Sequence, residues 1–405
     1  MFQGGMFQSH QSKTGLENDP MEAGMKDSAF RMTCLLLKNA LRFHYLKIRG
    51  KPGIPEALSL EITHHCMGRC VMCNIWKIPR DLPVLNMEEW VDLLTSDLFR
   101  DLRELDITGG EPFLREDLVG FFSEIGKLKG RSLGSLRSVA LTTNGLLPSR
   151  ILDWTEKMLK GLKAAGLDLV MVCAMDGIGD VHDRVRNVPG AWLRVNETVQ
   201  GLRNLRESYA NLVVGLKTTV LPFNIEELPG LVQYAEANGL FGIISPCIIT
   251  EGRYRNPDRE MDLAFSPVQI EKMAEFYDKY ESPWGYHRHA LVKYFRSGVM
   301  KKPCSCGFNY FFVRSTGDIL LCPLIDRSPG NLRKASVEEI FFSKESSKIR
   351  RGVGGFPECR SCTEPGLERY ALPYEGLSYL GVLLKMGRGK FFEMHRHMGL
   401  DKYLE

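Results

Sequence analysis

No run of about 18 apolar residues occurs in this chain, so nothing in it reads as a membrane-spanning helix. The first 27 residues also lack the apolar segment of a secretory signal; they are polar, with Gly and Gln, and read as a disordered lead-in. Charge of one sign is scarce in excess. Lys and Arg number 53 against 49 Asp and Glu, a net of +4, and there is no long basic tract. That excludes a protein built to bind nucleic acid in bulk. Internal repeats are absent as well. With neither export signal nor span, the expected location is the cytoplasm, where cysteines serve metals or catalysis before disulfides. What the chain does have is eleven cysteines. Eight fall into two groups, Cys66, Cys70 and Cys73, then Cys304, Cys306, Cys322, Cys359 and Cys362. Cys34, Cys173 and Cys247 stand apart and read as small core or helix residues.

A chain of 405 residues with 44% hydrophobic and 25% charged content suits one large domain plus a smaller one, or two of middling size. From Pro55 to about Thr250, short β-rich runs alternate with amphipathic stretches. Candidate strands cover 58–63, 104–108, 138–142, 167–174, 213–220 and 242–249. Candidate helices cover 87–95, 115–129, 151–165, 191–209 and 225–238, with Asn86 and Glu89 forming a capping box for the first. Alternation of this kind predicts a parallel α/β sheet, curled or open, with its site at the carboxyl ends of the strands. Helical stretches at 266–280 and 290–296 lead to a Cys- and Gly-rich segment. There, 308–313 and 319–322 form a hairpin turned by Ser315-Thr316-Gly317-Asp318, followed by a helix at 336–343. Residues 28–48 and 378–403 both read as basic helices. The expected organisation is a lead (1–27), a basic helix (28–54), the α/β unit (55–250), a helical linker (251–302), a cysteine-rich domain (303–370) and a C-terminal helix (371–405).

The chemistry sits at the strand ends. Cys66-x3-Cys70-x2-Cys73 follows directly on the first candidate strand. Three thiolates on one loop can hold three irons of a cubane iron–sulfur cluster and leave the fourth iron without a protein ligand. An open position separates a reactive site from a closed structural one. Zinc ribbons usually pair Cys-x2-Cys knuckles and fit this spacing poorly. After the second strand comes Thr108-Gly109-Gly110-Glu111-Pro112, where glycines let backbone approach a ligand closely. The third strand ends Thr142-Thr143-Asn144-Gly145 and the fourth Ala174-Met175-Asp176-Gly177. His182-Asp183-Arg184-Val185-Arg186 comes next. Taken singly, Gly-Gly-Glu-Pro is a turn, and His182 with Asp183 could simply cap a helix.

Together these motifs resemble the radical S-adenosylmethionine (radical SAM) superfamily. The resemblance implies a partial (βα)6 parallel barrel. It implies a [4Fe-4S] cluster on Cys66, Cys70 and Cys73, with S-adenosylmethionine (SAM) chelated at the open iron. Gly109, Gly110, Glu111 and Pro112 would hold the SAM amino group, and Arg186 would lie near its carboxylate, for which a guanidinium is a planar two-pronged match. Thr143 and Asn144 would face the cavity. Asp176 would bond a ribose hydroxyl or shape a turn; the Ser often found two residues before it in such enzymes is Ala174 here. Thr218 and Asn224 are further candidates for ribose contacts.

Cys304-x17-Cys322-x36-Cys359-x2-Cys362 supplies four more thiolates, enough to close a second cubane, with a zinc site as the structural alternative. This segment resembles the start of a SPASM domain, in the shortened "twitch" form with one auxiliary [4Fe-4S] cluster, since no cysteine follows Cys362. Either Cys304 or Cys306 could be its first ligand; Gly307, in a Cys-x-x-Gly pattern, favours Cys304. The resemblance implies reductive cleavage of SAM to a 5′-deoxyadenosyl radical that abstracts a substrate hydrogen, with the auxiliary cluster as electron acceptor. The expected substrate is a small metabolite or a lipid-linked intermediate, oxidised or rearranged. A peptide or protein substrate is the alternative, and a non-catalytic Fe–S or zinc scaffold a remote one. Too few residues precede the first strand for the winged-helix module of many peptide maturases. Flavodoxin or ferredoxin is the expected electron donor, with no nucleic acid involved. The basic terminal helices allow peripheral membrane contact.

Overall fold

Runs of β-branched and aliphatic residues bounded by turns become strands, and the three- and four-residue apolar spacings between them become helices. The computed structural model describes residues 20–280, 285–387, 389 and 391. In chain order, α1 (Pro20–Arg49) leads to β1 (Ala57–Thr63), α2 (Met87–Thr95), β2 (Glu104–Gly109), α3 (Leu118–Leu128), β3 (Ser138–Thr143) and α4 (Pro148–Ala164). There follow β4 (Asp168–Ala174), α5 (Asp180–Arg186), α6 (Ala191–Ser208), β5 (Leu212–Val220), α7 (Leu228–Ala237) and β6 (Phe241–Pro246). The predicted capping box is present: Asn86 accepts from the Glu89 N–H and Glu89 from the Asn86 N–H, each at 2.8 Å. β1 to β6 are parallel throughout and form a partial barrel.

The strands divide their side chains by the period of two. Leu58, Leu60, Leu105, Ile107, Val139, Leu141 and Met171 enter one core with Trp90, Phe121, Phe122 and Leu159 from the helices. Each such side chain contributes about 1.5–3 kcal/mol by leaving water. The alternate positions carry Ser59, Glu61, Asp106, Thr108, Lys217 and Thr219. Polar groups are thereby gathered on the face opposite the helices.

Beyond the barrel lie α8 (Glu260–Leu263), α9 (Pro267–Lys279), α10 (Gly285–Ser297), β7 (Tyr310–Val313), β8 (Asp318–Leu320) and β9 (Gly330–Asn331). Helices α11 (Val337–Phe342), α12 (Lys344–Gly352), α13 (Pro365–Glu375) and α14 (Leu377–Met386) complete the described chain. The hairpin β7–β8 forms as expected, but it is not a separate layer. β7 pairs in parallel with β1, Ala57 opposite Tyr310 through Leu60 opposite Val313. The result is one nine-stranded sheet in the order β6-β5-β4-β3-β2-β1-β7-β8-β9. Phe43 of α1 packs with Phe308, Tyr310, Tyr370 and Tyr374 over this junction.

The ends of the chain also differ from the reading of the sequence. α1 begins at Pro20, inside the stretch expected to be disordered. The C-terminal helix expected at 378–403 is preceded by α13, and Gly376, at φ +81°, breaks the chain between α13 and α14. Its remainder beyond Phe391 lies outside the described residues. No helix among the described residues is long and apolar enough to cross a membrane.

Candidate functional site

The cysteine loop leaves the carboxyl end of β1 and is fastened on three sides. From β2, the Gly110 N–H donates to the Thr63 carbonyl and the Glu111 N–H to the His65 carbonyl, both at 2.7 Å. Only glycine permits this approach. A Cβ on Gly110 would lie 2.2 Å from the His65 carbonyl oxygen, and one on Gly109 2.3 Å from that of Thr63. From α5, the Arg186 carbonyl accepts from the Arg69 N–H at 3.1 Å and the Val185 carbonyl from the Val71 N–H at 3.0 Å. Asn74 closes the third side, its side-chain amide donating to the Arg255 carbonyl and to Asp258.

Cys66, Cys70 and Cys73 are left half-buried on the loop. A Cβ on Gly68 would lie 3.5 Å from the Cys70 Sγ and 3.7 Å from that of Cys66, so the glycine keeps the space between two thiols clear. Asn144 Nδ2 donates to the Cys66 Sγ at 3.9 Å, and Arg186 Nη1 to the Cys70 Sγ at 3.6 Å. Burial pushes the Cys66 thiol up to about 12, with Cys70 and Glu111 adding to the rise. Burial raises Cys73 as well. Thiols held this way ionise against bound metal, which draws off their protons on binding. Among the described residues, no three His, Cys, Asp or Glu groups converge as tightly as a single ion requires. An iron–sulfur cluster, whose irons each take a separate thiolate, would be held by Cys66, Cys70 and Cys73.

The strand-end residues divide into those beside the loop and those spent on the scaffold. Glu111 is buried, accepting from Thr143 Oγ1 at 2.9 Å, the Asn144 N–H at 2.8 Å and the Phe113 N–H at 3.2 Å. Its carboxylate therefore ties β2 to β3 instead of facing a ligand. Burial lifts its pKa to about 7, opposed by those hydrogen bonds. Pro112 opens the short turn behind it and is buried. Thr143, expected to face the cavity, is buried in the same network. Asn144 does reach the cysteines.

Asp176 and Arg186 form a buried ion pair at 2.6 Å. Asp176 Oδ1 also accepts from the Thr219 N–H at 2.7 Å, and His182 Nδ1 accepts from the Asp176 N–H at 3.1 Å. Burial works against the charge on Arg186, but Asp176 and the Cys70 thiol outweigh it and hold the guanidinium above its usual range. Burial, with Arg186 nearby, lowers His182 to about 2. Arg186 Nε is buried without a hydrogen-bond partner. Such a donor suits an incoming acceptor.

Thr218 and Asn224 do not line the cavity. Thr218 Oγ1 donates to the Met175 carbonyl at 2.7 Å; Asn224 Nδ2 donates to the carbonyls of Asp176 and Thr219. Both brace β4 against β5, and neither side chain is available to a ribose. The sequence reading missed another group. Arg253 Nη2 donates to Thr108 Oγ1 at 3.0 Å, and Lys217 lies 4.0 Å from Glu364. Burial opposes the charge on Glu364, but Lys217 and Arg253 overcome it and lower the carboxyl to about 2. Polar residues at alternate positions of a buried strand, Asp106 with Thr108 and Lys217 with Thr219, are the signal that points to this face.

The second cysteine group lies next to the β1–β7 junction. Cys304, Cys322, Cys359 and Cys362 are half-buried, while Cys306 is buried and bridges to Tyr310. The Cys306 thiol hydrogen-bonds to both Cys304 and Cys322, which raises its own pKa. The same bond lowers the Cys304 thiol below its ordinary value, against the effect of burial. Burial lifts Cys362 to about 12.

Comparison with known proteins places both groups in described families. Residues 60–235 match the radical SAM superfamily, and residues 304–363 match SPASM, an iron–sulfur cluster-binding domain. The chain is 27% identical to the AdoMet-dependent heme synthase of Methanosarcina barkeri strain Fusaro, over 72% of this chain and 83% of that protein. It is 26% identical to the PqqA peptide cyclase of Gluconobacter oxydans strain 621H, over 77% and 83%. Among solved structures, Streptococcus suis SuiB bound to its precursor peptide SuiA superposes with a TM-score of 0.55 at 14% identity, over 85% of this chain and 75% of that one.

Proposed function

The chain belongs to the radical SAM superfamily and carries a C-terminal SPASM iron–sulfur domain, and from that premise we propose that it modifies a peptide by hydrogen abstraction. Cys66, Cys70 and Cys73 would hold the first cluster, which when bound supplies the electron that splits SAM into methionine and a 5′-deoxyadenosyl radical. The rest is done by the chain's own residues. Arg186, held charged by Asp176 and with Nε unspent, receives the SAM carboxylate. Backbone carbonyls at Gly109 and Gly110, held against the cysteine loop, accept from the SAM amine. Asn144 and Arg186 donate to thiolate sulfur, which favours the ionised cysteines. Glu111, Thr143, Thr218 and Asn224 keep the strand ends in register. Arg253, Lys217 and Glu364 face the substrate and fix its polar groups. Cys304, Cys322, Cys359 and Cys362 would hold one auxiliary cluster, a sink for the electron the substrate gives up, with Cys306 donating to Cys304 and Cys322 rather than ligating. Exposed Arg69, Lys77 and Arg80 flank the cysteine loop and suit an acidic electron donor such as flavodoxin or ferredoxin.

One observation carries the peptide reading over the small metabolite expected from sequence: the likeness to a peptide cyclase across 77% of the chain. A small-molecule substrate is the second reading, favoured by the heme synthase similarity and by two cations, Lys217 and Arg253, that suit carboxylates. The anaerobically reconstituted enzyme distinguishes them when incubated with separate peptide and small-molecule fractions of a fully deuterated extract. Deuterium entering 5′-deoxyadenosine from the peptide fraction supports the proposal, and label from the small-molecule fraction alone overturns it. In the same assay Cys70→Ala abolishes SAM cleavage; a variant still forming 5′-deoxyadenosine removes Cys70 from the cluster.

A further inference from the structure

α1 carries two apolar faces, and the described residues cover one. Met32 and Leu36 pack on Leu372, Tyr379 and Leu383, and Phe43 and Leu46 join the cluster of Phe308 and Tyr374. On the other side Phe30, Leu37, Leu41, Tyr45 and Ile48 are 69%, 43%, 76%, 52% and 75% exposed. Their spacing of three, four and seven places them within a sector of about 80° on a helix. From Phe30 to Ile48 the ridge runs about 27 Å along the axis. α14, packed beside α1, exposes Leu377 and Leu384 one heptad apart. A single helix that packs on a core needs one apolar stripe, and a second, solvent-facing one marks a contact.

The charges beside this ridge say what the contact is. Arg31, Lys38, Arg42 and Arg49 fall within about 40° of one another along one edge of the ridge. All four are exposed; Lys47 lies instead on the packed side of the helix, its Nζ 6.0 Å from the centre of the Phe43 ring. Between Phe30 and Pro55 there is no Asp or Glu. The Arg49 guanidinium lies 5.7 Å from the centre of the Tyr45 ring, at the boundary between ridge and basic edge. We propose that this face of α1 lies in the interface of an anionic lipid bilayer, its apolar ridge among the acyl chains and its basic edge against the headgroups. A second copy of the chain is the weaker occupant. Two such faces together would bring basic edges into contact with no carboxylate between Phe30 and Arg49 of either helix to pair them.

The test is flotation of the full-length, cluster-loaded protein with vesicles of roughly 7:3 phosphatidylcholine to phosphatidylglycerol. The protein floats with these vesicles and not with pure phosphatidylcholine, and added salt releases it. Leu41→Gln with Ile48→Gln lowers the partition by about tenfold or more. Lys38→Gln with Arg42→Gln lowers it about 25-fold and flattens the salt dependence. Both double variants keep their iron and their SAM cleavage, so any loss of binding is not loss of fold. No flotation of the wild-type protein overturns the proposal, as does unchanged flotation of Leu41→Gln with Ile48→Gln. A dimer that the same variant dissociates would give the face to a second copy. Flotation only after removal of residues 1–19 would give it to that segment.

Discussion

His182 shows how one buried residue ties the site to pH. Its Nδ1 accepts the Asp176 N–H, so the ring must be neutral at that nitrogen, and burial beside Arg186 lowers its pKa to about 2 from an ordinary 6.5. A group whose folded pKa is lowered contributes stability that is present above its unfolded pKa and lost as pH falls below it, because only the unfolded chain takes up the proton. The loss is about 1.4 kcal/mol per pH unit, or about 2 kcal/mol between pH 6.5 and 5. His182→Asn keeps an acceptor for the same N–H and has nothing to titrate. Denaturant unfolding from pH 6.5 to 5 is expected to be steeper in the wild type than in this variant by that amount. Parallel curves would show that His182 does not carry the slope. Glu111 has the opposite sign: its raised pKa, about 7, means that its contribution fades as pH climbs toward neutrality.

At the scale of elements, the end of β2 and the cysteine loop act as one part. Gly110→Ala would drive a Cβ into the His65 carbonyl, backbone that cannot swing aside. The loop must shift, and the three thiols with it. The expected result is a stable protein that has lost the iron of the first cluster, keeps that of the second, and no longer cleaves SAM. Iron content with unfolding curves checks this; full iron loading would mean that the loop tolerates the shift. The strands of the barrel were legible because alternation and turn residues are local, and the Asn86–Glu89 box was legible for the same reason. That the cysteine loop and Gly109–Pro112 lie side by side was legible because each directly follows a strand and the two strands are neighbours. The seven-residue α5 is too short to show a helical period. Nothing in the neighbourhood of Glu111, Thr218 or Asn224 reveals which way the side chain turns. That depends on the strand alongside, and each is spent on it. Lys217 and Glu364 meet across 147 positions of sequence, so only the fold brings them together.

The largest departure from a two-domain reading is the sheet itself, because β7 closes the edge of β1. All seven residues of β1 are buried, and four of them pair with the 310–313 strand. Side chains reinforce the seam. Tyr310 donates to Ser59 at 3.0 Å, Ser315 donates to Glu61 at 3.0 Å, and Arg314 sits beside Glu61. The Ser315 carbonyl also accepts from the Leu85 N–H at 2.7 Å. A chain ending at residue 302 would leave β1 as an open edge with unpaired peptide groups and Glu61 without Arg314 and Ser315. Such an edge templates association, and an unpaired buried carboxylate costs several kcal/mol. The expected outcome is that residues 1–302 alone aggregate or fail to retain the first cluster, even though Cys66, Cys70 and Cys73 are all present. Sedimentation and iron content of the truncated protein decide the matter. A soluble monomer holding one cluster would mean that the SPASM segment is an appendage; an aggregated one means that it is the barrel's missing edge, with the auxiliary cysteines next to it because of the same pairing.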